Sequence, residues 1–378
     1  MLHSLATTDE LAELFSGRSV LEAMLAFETA LARAQARMGM IPPAAADAIA
    51  RAAAPDGFDA AGIARASRES ASLAIPLVNA LAARLREIDE PSARFVHWGA
   101  TSQDVIDTAM ILLLKRAQPI LARDHGRLAQ ALREFSERHA QTVMVARTLL
   151  QPATATTFGY KAAGWYGLVH RSWRRLDGSF QEALRLQFGG VSGTLASYGA
   201  DGPALARELA GELDLPDSTP WHTHRDRLAA LAAHCGIYTG ALGKIARDIA
   251  LLMQHEVGEA AEPGGGSSAM PGKRNPAGCV IALAAANRTP GLVAAFLAGM
   301  VQEHERAAGG WQAEWPAMVE IVGATGSALA AMTGAIEGLT VYPERMRANL
   351  AAAPGAGDCV GAAEDFRKRL LEDNDASD

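Results

Sequence analysis

The chain has 378 residues, more than one compact core usually spans, and its 49% hydrophobic and 20% charged residues exclude an intrinsically disordered chain. A net charge of −7 excludes a general nucleic-acid binder or a binder of anionic membranes, while leaving room for a local basic pocket. Abundant alanine and only 6% aromatic residues favour closely packed helices over a β-sandwich.

Met1 to Glu10 carries neither a basic start nor an apolar run, so no signal peptide is expected. The N-terminal helical region, residues 1–100, is punctuated by Ile41-Pro42-Pro43 and Ala54-Pro55-Asp56-Gly57. Residues 103–122 read as a long helix with Ser102 as its N-cap and Asp104 in its first turn. Residues 155–186 read as a second. Leu228, Leu231, Cys235, Tyr238, Leu242, Ile245, Ile249 and Leu252 are spaced by threes and fours. That pattern lays one apolar stripe along roughly seven turns, the seam of a bundled helix. Glu256, Glu259 and Glu262 follow it as an expected solvated face.

Residues 262–276 form the least helical segment of a central helical unit spanning 101–340. The most apolar stretch, Cys279 to Val301, is broken by Asn287, Arg288 and Pro290, which argues against a membrane span. Residues 341–378 read as a short tail or an abbreviated third domain, with an acidic end expected to fray. Strands should be few and short. Cys235, Cys279 and Cys359 form no CxxC pair, as expected in a reducing cytoplasm.

The segment Gly264-Gly265-Gly266-Ser267-Ser268-Ala269-Met270-Pro271-Gly272-Lys273-Arg274-Asn275-Pro276 carries the most chemistry. Its glycines let backbone approach a ligand closely. A serine acts as a base only when a cation and backbone N–H groups stabilise its alkoxide, and this loop offers Ser267, Ser268, Lys273 and the Asn275 amide. A flexible linker explains Gly-Gly-Gly-Ser-Ser but not the Ala-Met-Pro-Gly-Lys-Arg-Asn-Pro that follows. Upstream, His97-Trp98-Gly99-Ala100-Thr101-Ser102-Gln103-Asp104 puts hydroxyls at a helix start, a natural anion site. A third segment runs Arg147-Thr148-Leu149-Leu150-Gln151-Pro152 and on to Gly159. His222 and His224 lack a third ligand partner, so no metal is expected. Arg225 is equally a carboxylate contact or a structural ion pair, and Trp311 with Trp315 reads as a core stripe.

These segments, in this order, resemble the shared regions of the fumarase/aspartase superfamily, and the resemblance runs to about Met346. It implies an all-α bundle of long helices at the centre of a homotetramer, with active sites built from several subunits. It further implies proton removal beside a carboxylate without a cofactor. Ser267 would be the base with Ser268 as fallback, and His97 would orient the substrate or tune proton transfer. Thr101, Ser102, Lys273 and Asn275 would hold carboxylates, joined by Arg147, while Thr148, Gln151, Met270 and Arg225 would also contact the substrate. Many members carry Arg-Thr-His in the second region, where the histidine serves the general acid; this chain has Leu149. That position and Gln302 to Trp315 resemble the cycloisomerase branch, which closes a small tricarboxylate into a lactone. An adenylosuccinate lyase, another carboxylate lyase and a catalytically silent relative are the alternatives. Two departures stand out: Gly272, where the cycloisomerases often carry histidine, and a C-terminal part shorter than in the longer members.

Overall fold

The computed structural model describes residue 1 and residues 3–375. The chain opens with α1 (Asp9–Leu14), α2 (Gly17–Arg37), α3 (Pro43–Ala52), α4 (Ala60–Ser70) and α5 (Ala74–Asp89). The helices α6 (Ser102–Arg138), α7 (Phe158–Ala183), α9 (Asp226–Leu252), α10 (Ala277–Ala298) and α11 (Gly310–Glu337) pack together as the central bundle, with α8 (Gly202–Glu212) against α2. A hairpin, β1 (Val143–Thr148) and β2 (Gln151–Thr157), joins α6 to α7, and the short pair β3 (Ala260–Ala261) and β4 (Thr340–Val341) closes beside α9. At the C-terminal end α12 (Pro343–Ala351) covers β1 and α13 (Ala363–Asp375) lies on α7.

Every residue of the α9 stripe from Leu228 to Leu252 is buried, as its period requires. Three expectations need correction. The N-cap of α6 is Thr101, in extended conformation, with Ser102 as the first helical residue. Asp104 reaches back to accept the Thr101 N–H at 3.0 Å, half of a capping box. Residues 155–157 are strand rather than helix, because Thr154, Thr156 and Thr157 suit a pleated surface and Thr157 then caps α7 by accepting the Tyr160 N–H. The third concerns length: α6 runs on past residue 122 to Arg138, and the Pro119 inside it faces solvent, where the missing N–H is least costly.

By length and composition α9, α10 and α11 are each apolar enough to cross a membrane. The bundle buries most of the apolar windows of α9 and α11, but only 22% of that of α10. One face of α10 (Cys279, Ala282, Ala285, Thr289 and Phe296) packs inward, leaving Val280, Ala284, Gly291, Ala294 and Leu297 outward.

Inside the bundle His125 stacks on Trp173 with ring centres 4.5 Å apart, and its Nδ1 meets the Tyr238 hydroxyl at 2.9 Å. Burial, with His170 nearby, lowers its pKa to about 3. A free histidine gains a proton near pH 6.5, so protons bind the unfolded chain first and acid favours unfolding. Between those two values stability falls with pH, by about 2 kcal/mol at pH 5 relative to neutral pH. Urea unfolding of His125→Phe at pH 7 and pH 5 is expected to show a much flatter acid slope than the parent. An unchanged slope would assign the acid sensitivity elsewhere.

Candidate active site

The first cluster forms where α2, the start of α6 and two loops meet. On α2 the stripe Leu21, Met24, Leu25, Glu28, Leu31 and Gln35 is buried along its length, so Glu28 and Gln35 are polar groups on an apolar face. Glu28 Oε1 meets His97 Nδ1 at 2.6 Å. Burial works against the charged imidazole, but Glu28 and, more weakly, Asp104 outweigh it and hold the His97 pKa above its ordinary value. His97 itself sits at φ +57, a turn that brings Thr101 and Ser102, both half-buried, to the positive end of the long α6.

Asp104 organises the loops around this helix start. Its carboxylate accepts the Gly189 and Gly190 N–H groups at 3.0 and 2.9 Å and the Gln187 amide at 3.1 Å, and pairs with His222 Nε2 at 2.9 Å. His222 is therefore a structural partner of Asp104, and His224 is exposed. Among the described residues no group of three or more His, Cys, Asp and Glu side chains is placed to hold a metal. Arg306 closes the same loops, donating to Gln103 Oε1 and to the Gly190 and Val191 carbonyls.

One turn deeper Arg225 is 3% exposed and enclosed by two buried carboxylates. It donates to Asp107 at 2.7 and 3.0 Å and to Glu314 at 2.7 and 2.9 Å, over the Trp221 ring. Of the two roles open in the sequence, the guanidinium takes the structural ion pair. Trp311 is core, yet its indole N–H donates to Asp107, and it meets Trp315 edge to face.

The second cluster is the β1–β2 hairpin. Arg147 forks onto Glu259 at 2.8 and 2.9 Å, and Glu259 also accepts from Asn349. Glu259 and Glu262 are thus buried rather than solvated, because α9 has already ended and helical spacing no longer governs them. Glu262 receives the Gly278 and Cys279 N–H groups at the start of α10, where a carboxylate suits the helix dipole. Glu256 is exposed, as expected. Thr148 pairs with Gln151 across a two-residue turn in which Leu149 (φ +51) and Leu150 (φ +66) both adopt left-handed backbone. A turn of this hand usually takes Asn-Gly, so two leucines store strain there. They are also 97% and 72% exposed, which puts an aliphatic tip in the open.

The third cluster is the serine loop between α9 and α10. Its hydrogen bonds close on itself: Asn275 donates from its backbone to the Gly265 carbonyl and from its side chain to Gly266. A side chain at Gly265 would stand 1.8 Å from the Asn275 carbonyl oxygen, so only glycine fits. Gly272 lies at φ +83, a conformation that suits glycine better than the histidine of many cycloisomerases. Ser267 Oγ accepts the Ala269 and Met270 N–H groups at 3.3 and 3.1 Å. Ser268, Met270 and Lys273 are exposed. The structure therefore groups His97 with Thr101 and Ser102, and Ser267, Ser268, Met270, Lys273 and Asn275 with one another. Arg147 is tied to Glu259 just ahead of the loop, while Arg225 stands apart in the core.

The sequence pattern of the Lyase family matches residues 4–291. A 3-carboxy-cis,cis-muconate cycloisomerase from Bradyrhizobium diazoefficiens is 48% identical over 343 residues, covering 89% of this chain and 76% of that protein. The chain belongs to the fumarase/aspartase superfamily. The crystal structure of the 3-carboxy-cis,cis-muconate lactonizing enzyme from Pseudomonas putida agrees with a TM-score of 0.92 at 35% identity, over 100% of this chain and 99% of that one. A nitrosuccinate lyase from Streptomyces davaonensis is 43% identical over 343 residues, 87% of this chain and 72% of that protein. The all-α long-helix bundle expected from the resemblance is the fold of the superfamily and of this chain.

Sequence reasoning missed Glu28, Asp107 and Glu314 and gave Asp104 no more than a capping role. A signal was present, since Glu28 and Gln35 interrupt the α2 stripe. Asp104 and Asp107 likewise open a buried stripe that continues through Ile111 and Leu114. A carboxylate on an apolar face is costly unless paired, and in this superfamily member each has its partner.

Proposed function

We propose that this enzyme closes 3-carboxy-cis,cis-muconate onto itself, adding one substrate carboxylate across a double bond to give 4-carboxymuconolactone. The observation that carries this reading is Leu149 at the exposed hairpin tip. Where relatives that eliminate amines or hydroxide use a histidine, an aliphatic side chain supplies none of the ~10²–10⁴-fold that a general acid typically gives. Lactonisation does not need it. A carboxylate, with a pKa of about 4, attacks already ionised and departs unprotonated in reverse. Only carbon requires a proton. The 48% identity with the Bradyrhizobium diazoefficiens cycloisomerase supports the same substrate.

In this mechanism Thr101 and Ser102 hold one carboxylate at the α6 terminus, and Lys273 with Asn275 holds another. Thr148, Gln151 and Met270 line the substrate. With its fork on Glu259, Arg147 positions the hairpin. Charge builds as an enolate-like dianion while the ring closes, and donors aimed at it lower the barrier most. Ser267 handles the carbon-bound proton, and the two N–H groups at its Oγ favour the alkoxide form. His97, kept basic by Glu28, orients the substrate or tunes that transfer.

Among the described residues no hydrogen bond joins the helix-start residues Thr101 and Ser102 to the hairpin or to the serine loop, and the complete site is assembled between subunits of a homotetramer. The outward face of α10, with Val280 at 55% exposure among small residues, gives such an assembly an apolar surface to bury. Cys235, Cys279 and Cys359 are free thiols, in keeping with a cytoplasmic enzyme of protocatechuate breakdown.

The test is loss of diene absorbance from 3-carboxy-cis,cis-muconate with purified protein, the lactone identified by mass and NMR. A second reading, elimination from another succinyl carboxylate, is favoured by the 43% identity with a nitrosuccinate lyase. Nitrosuccinate and adenylosuccinate are therefore assayed in parallel. Turnover of either with the diene untouched would replace the lactonisation reading. Light scattering is expected to give four times the 39.7 kDa chain mass, and a monomer would leave the shared-site scheme without support.

A further inference from the structure

Beneath the hairpin, away from the serine loop's own hydrogen bonds, lies a cavity of about 280 Å³ lined by Leu150, Arg147, Lys161, Asp248, Leu251 and Val257, among others. Its charges do not balance. Arg147 is held by Glu259 through two hydrogen bonds. Asp248 receives the Lys244 ammonium, one turn back on α9, and the Trp165 indole N–H at 2.8 Å. Both carboxylates are thus covered by a cation of their own. Lys161 is a fifth charge, half-buried, and it makes no hydrogen bond and no ion pair among the described residues.

Lys161 also stands in the first turn of α7, where the helix dipole disfavours a cation and favours an anion. Its pKa is lowered from the usual lysine range, first by burial and then by Lys244 and Arg147, against the pull of Asp248 and Glu259. The Lys161 ammonium feels Asp248 and Glu259 but, among the described residues, meets neither at ion-pair distance, whereas Arg147 and Lys244 each do. Leu150, Leu251 and Val257 give the walls a hydrocarbon surface suited to an apolar body rather than to a small hydrated ion.

We propose that this cavity binds a small organic monocarboxylate, its charge on the Lys161 ammonium and its hydrocarbon body against Leu150, Leu251 and Val257. The net excess of one positive charge sets the valence, and the apolar walls select against inorganic anions. Leu150 is both a wall of the cavity and half of the strained turn, so a bound molecule braces the hairpin beside Leu149.

Benzoate serves as the probe, measured by calorimetry on the intact protein. A Lys273→Met background removes the cation of the serine loop, so remaining binding reports on another site. In that background benzoate is expected to bind, and adding Lys161→Met is expected to weaken it at least ~10-fold, as loss of a charge-assisted contact should. Methionine suits the half-buried, partly apolar position, and circular dichroism checks the fold. Inorganic phosphate should bind more weakly than benzoate. Crystals of the parent protein soaked in 4-bromobenzoate should place bromine between Leu251 and Val257 by anomalous scattering. Benzoate binding unaffected by Lys161→Met would overturn the proposal, as would no binding in solution, tighter binding of phosphate, or bromine found only elsewhere.

Discussion

Replacing Ser267 with alanine is expected to lower turnover of 3-carboxy-cis,cis-muconate by at least ~10²-fold, the lower end of what a positioned acid–base group contributes. Helix content and subunit mass should be unchanged, because the Ser267 side chain bonds only to N–H groups of its own loop. Ser268 is the control. It is exposed, and no hydrogen bond to its hydroxyl is formed among the described residues, so Ser268→Ala is expected to keep most of the rate. The contrast rests on a physical difference between adjacent hydroxyls. An alkoxide needs donors already aimed at it, and Ser267 has two where Ser268 has none. A Ser267→Ala enzyme retaining more than about a tenth of the parental rate would remove Ser267 from proton transfer. A collapse in Ser268→Ala alone would exchange their roles.

How far the fold could be read depended on whether local pattern and tertiary environment agreed. The α9 stripe was legible because each of its apolar positions faces the bundle. The hairpin was not. Its strands bury Val145 and Ala155 against Leu350 and Ala356 near the C-terminal end, partners about two hundred residues away in sequence. With a bulge between Val145 and Arg147, no clean alternation survives to announce a strand. Thr101 and Ser102 are both good caps, and the choice between them falls to Asp104, whose side chain reaches the Thr101 N–H. Pro119 and Pro290 both sit inside helices, because a ring at the surface of a packed helix bends or weakens it locally without ending it.

The candidate site divides the same way. The serine loop was legible from its own residues, since a Gly-rich turn beside hydroxyls and a lysine makes chemical sense without neighbours. The partners that hold the rest in place were not. Glu259 and Glu262, spaced as if on a solvated helix, are drawn inward by Arg147 and by the free N–H groups of α10, and neither can be assigned before the chain is folded. Glu28 reached His97 across 69 positions of sequence. Its place on an apolar stripe marks it as paired, but the identity of the partner is a tertiary fact.

Arg225 carries the largest expected structural effect. It joins Asp107 on α6 to Glu314 on α11 through paired hydrogen bonds, all three side chains being buried. Arg225→Met keeps the volume but leaves two carboxylates without a cation, and breaking a buried pair in this way typically costs about 3–5 kcal/mol. Asp107 lies one turn from the helix start that presents Thr101 and Ser102, so activity should fall with stability. Arg225→Lys retains the charge but cannot fork to both acids, and an intermediate loss is expected. The pH dependence separates this account from simple packing damage. Burial already pushes the Glu314 pKa up to about 6 while Arg225 pulls it down, so removing the guanidinium raises it further above the unfolded value. The variant then regains stability as pH falls toward the unfolded carboxylate range and loses it as pH rises. Urea unfolding at fixed protein concentration should therefore show the deficit of Arg225→Met widening from pH 5 to pH 8. A deficit that is small or independent of pH would mean that Asp107 and Glu314 find other partners, and that the triad is not what ties α6 to α11.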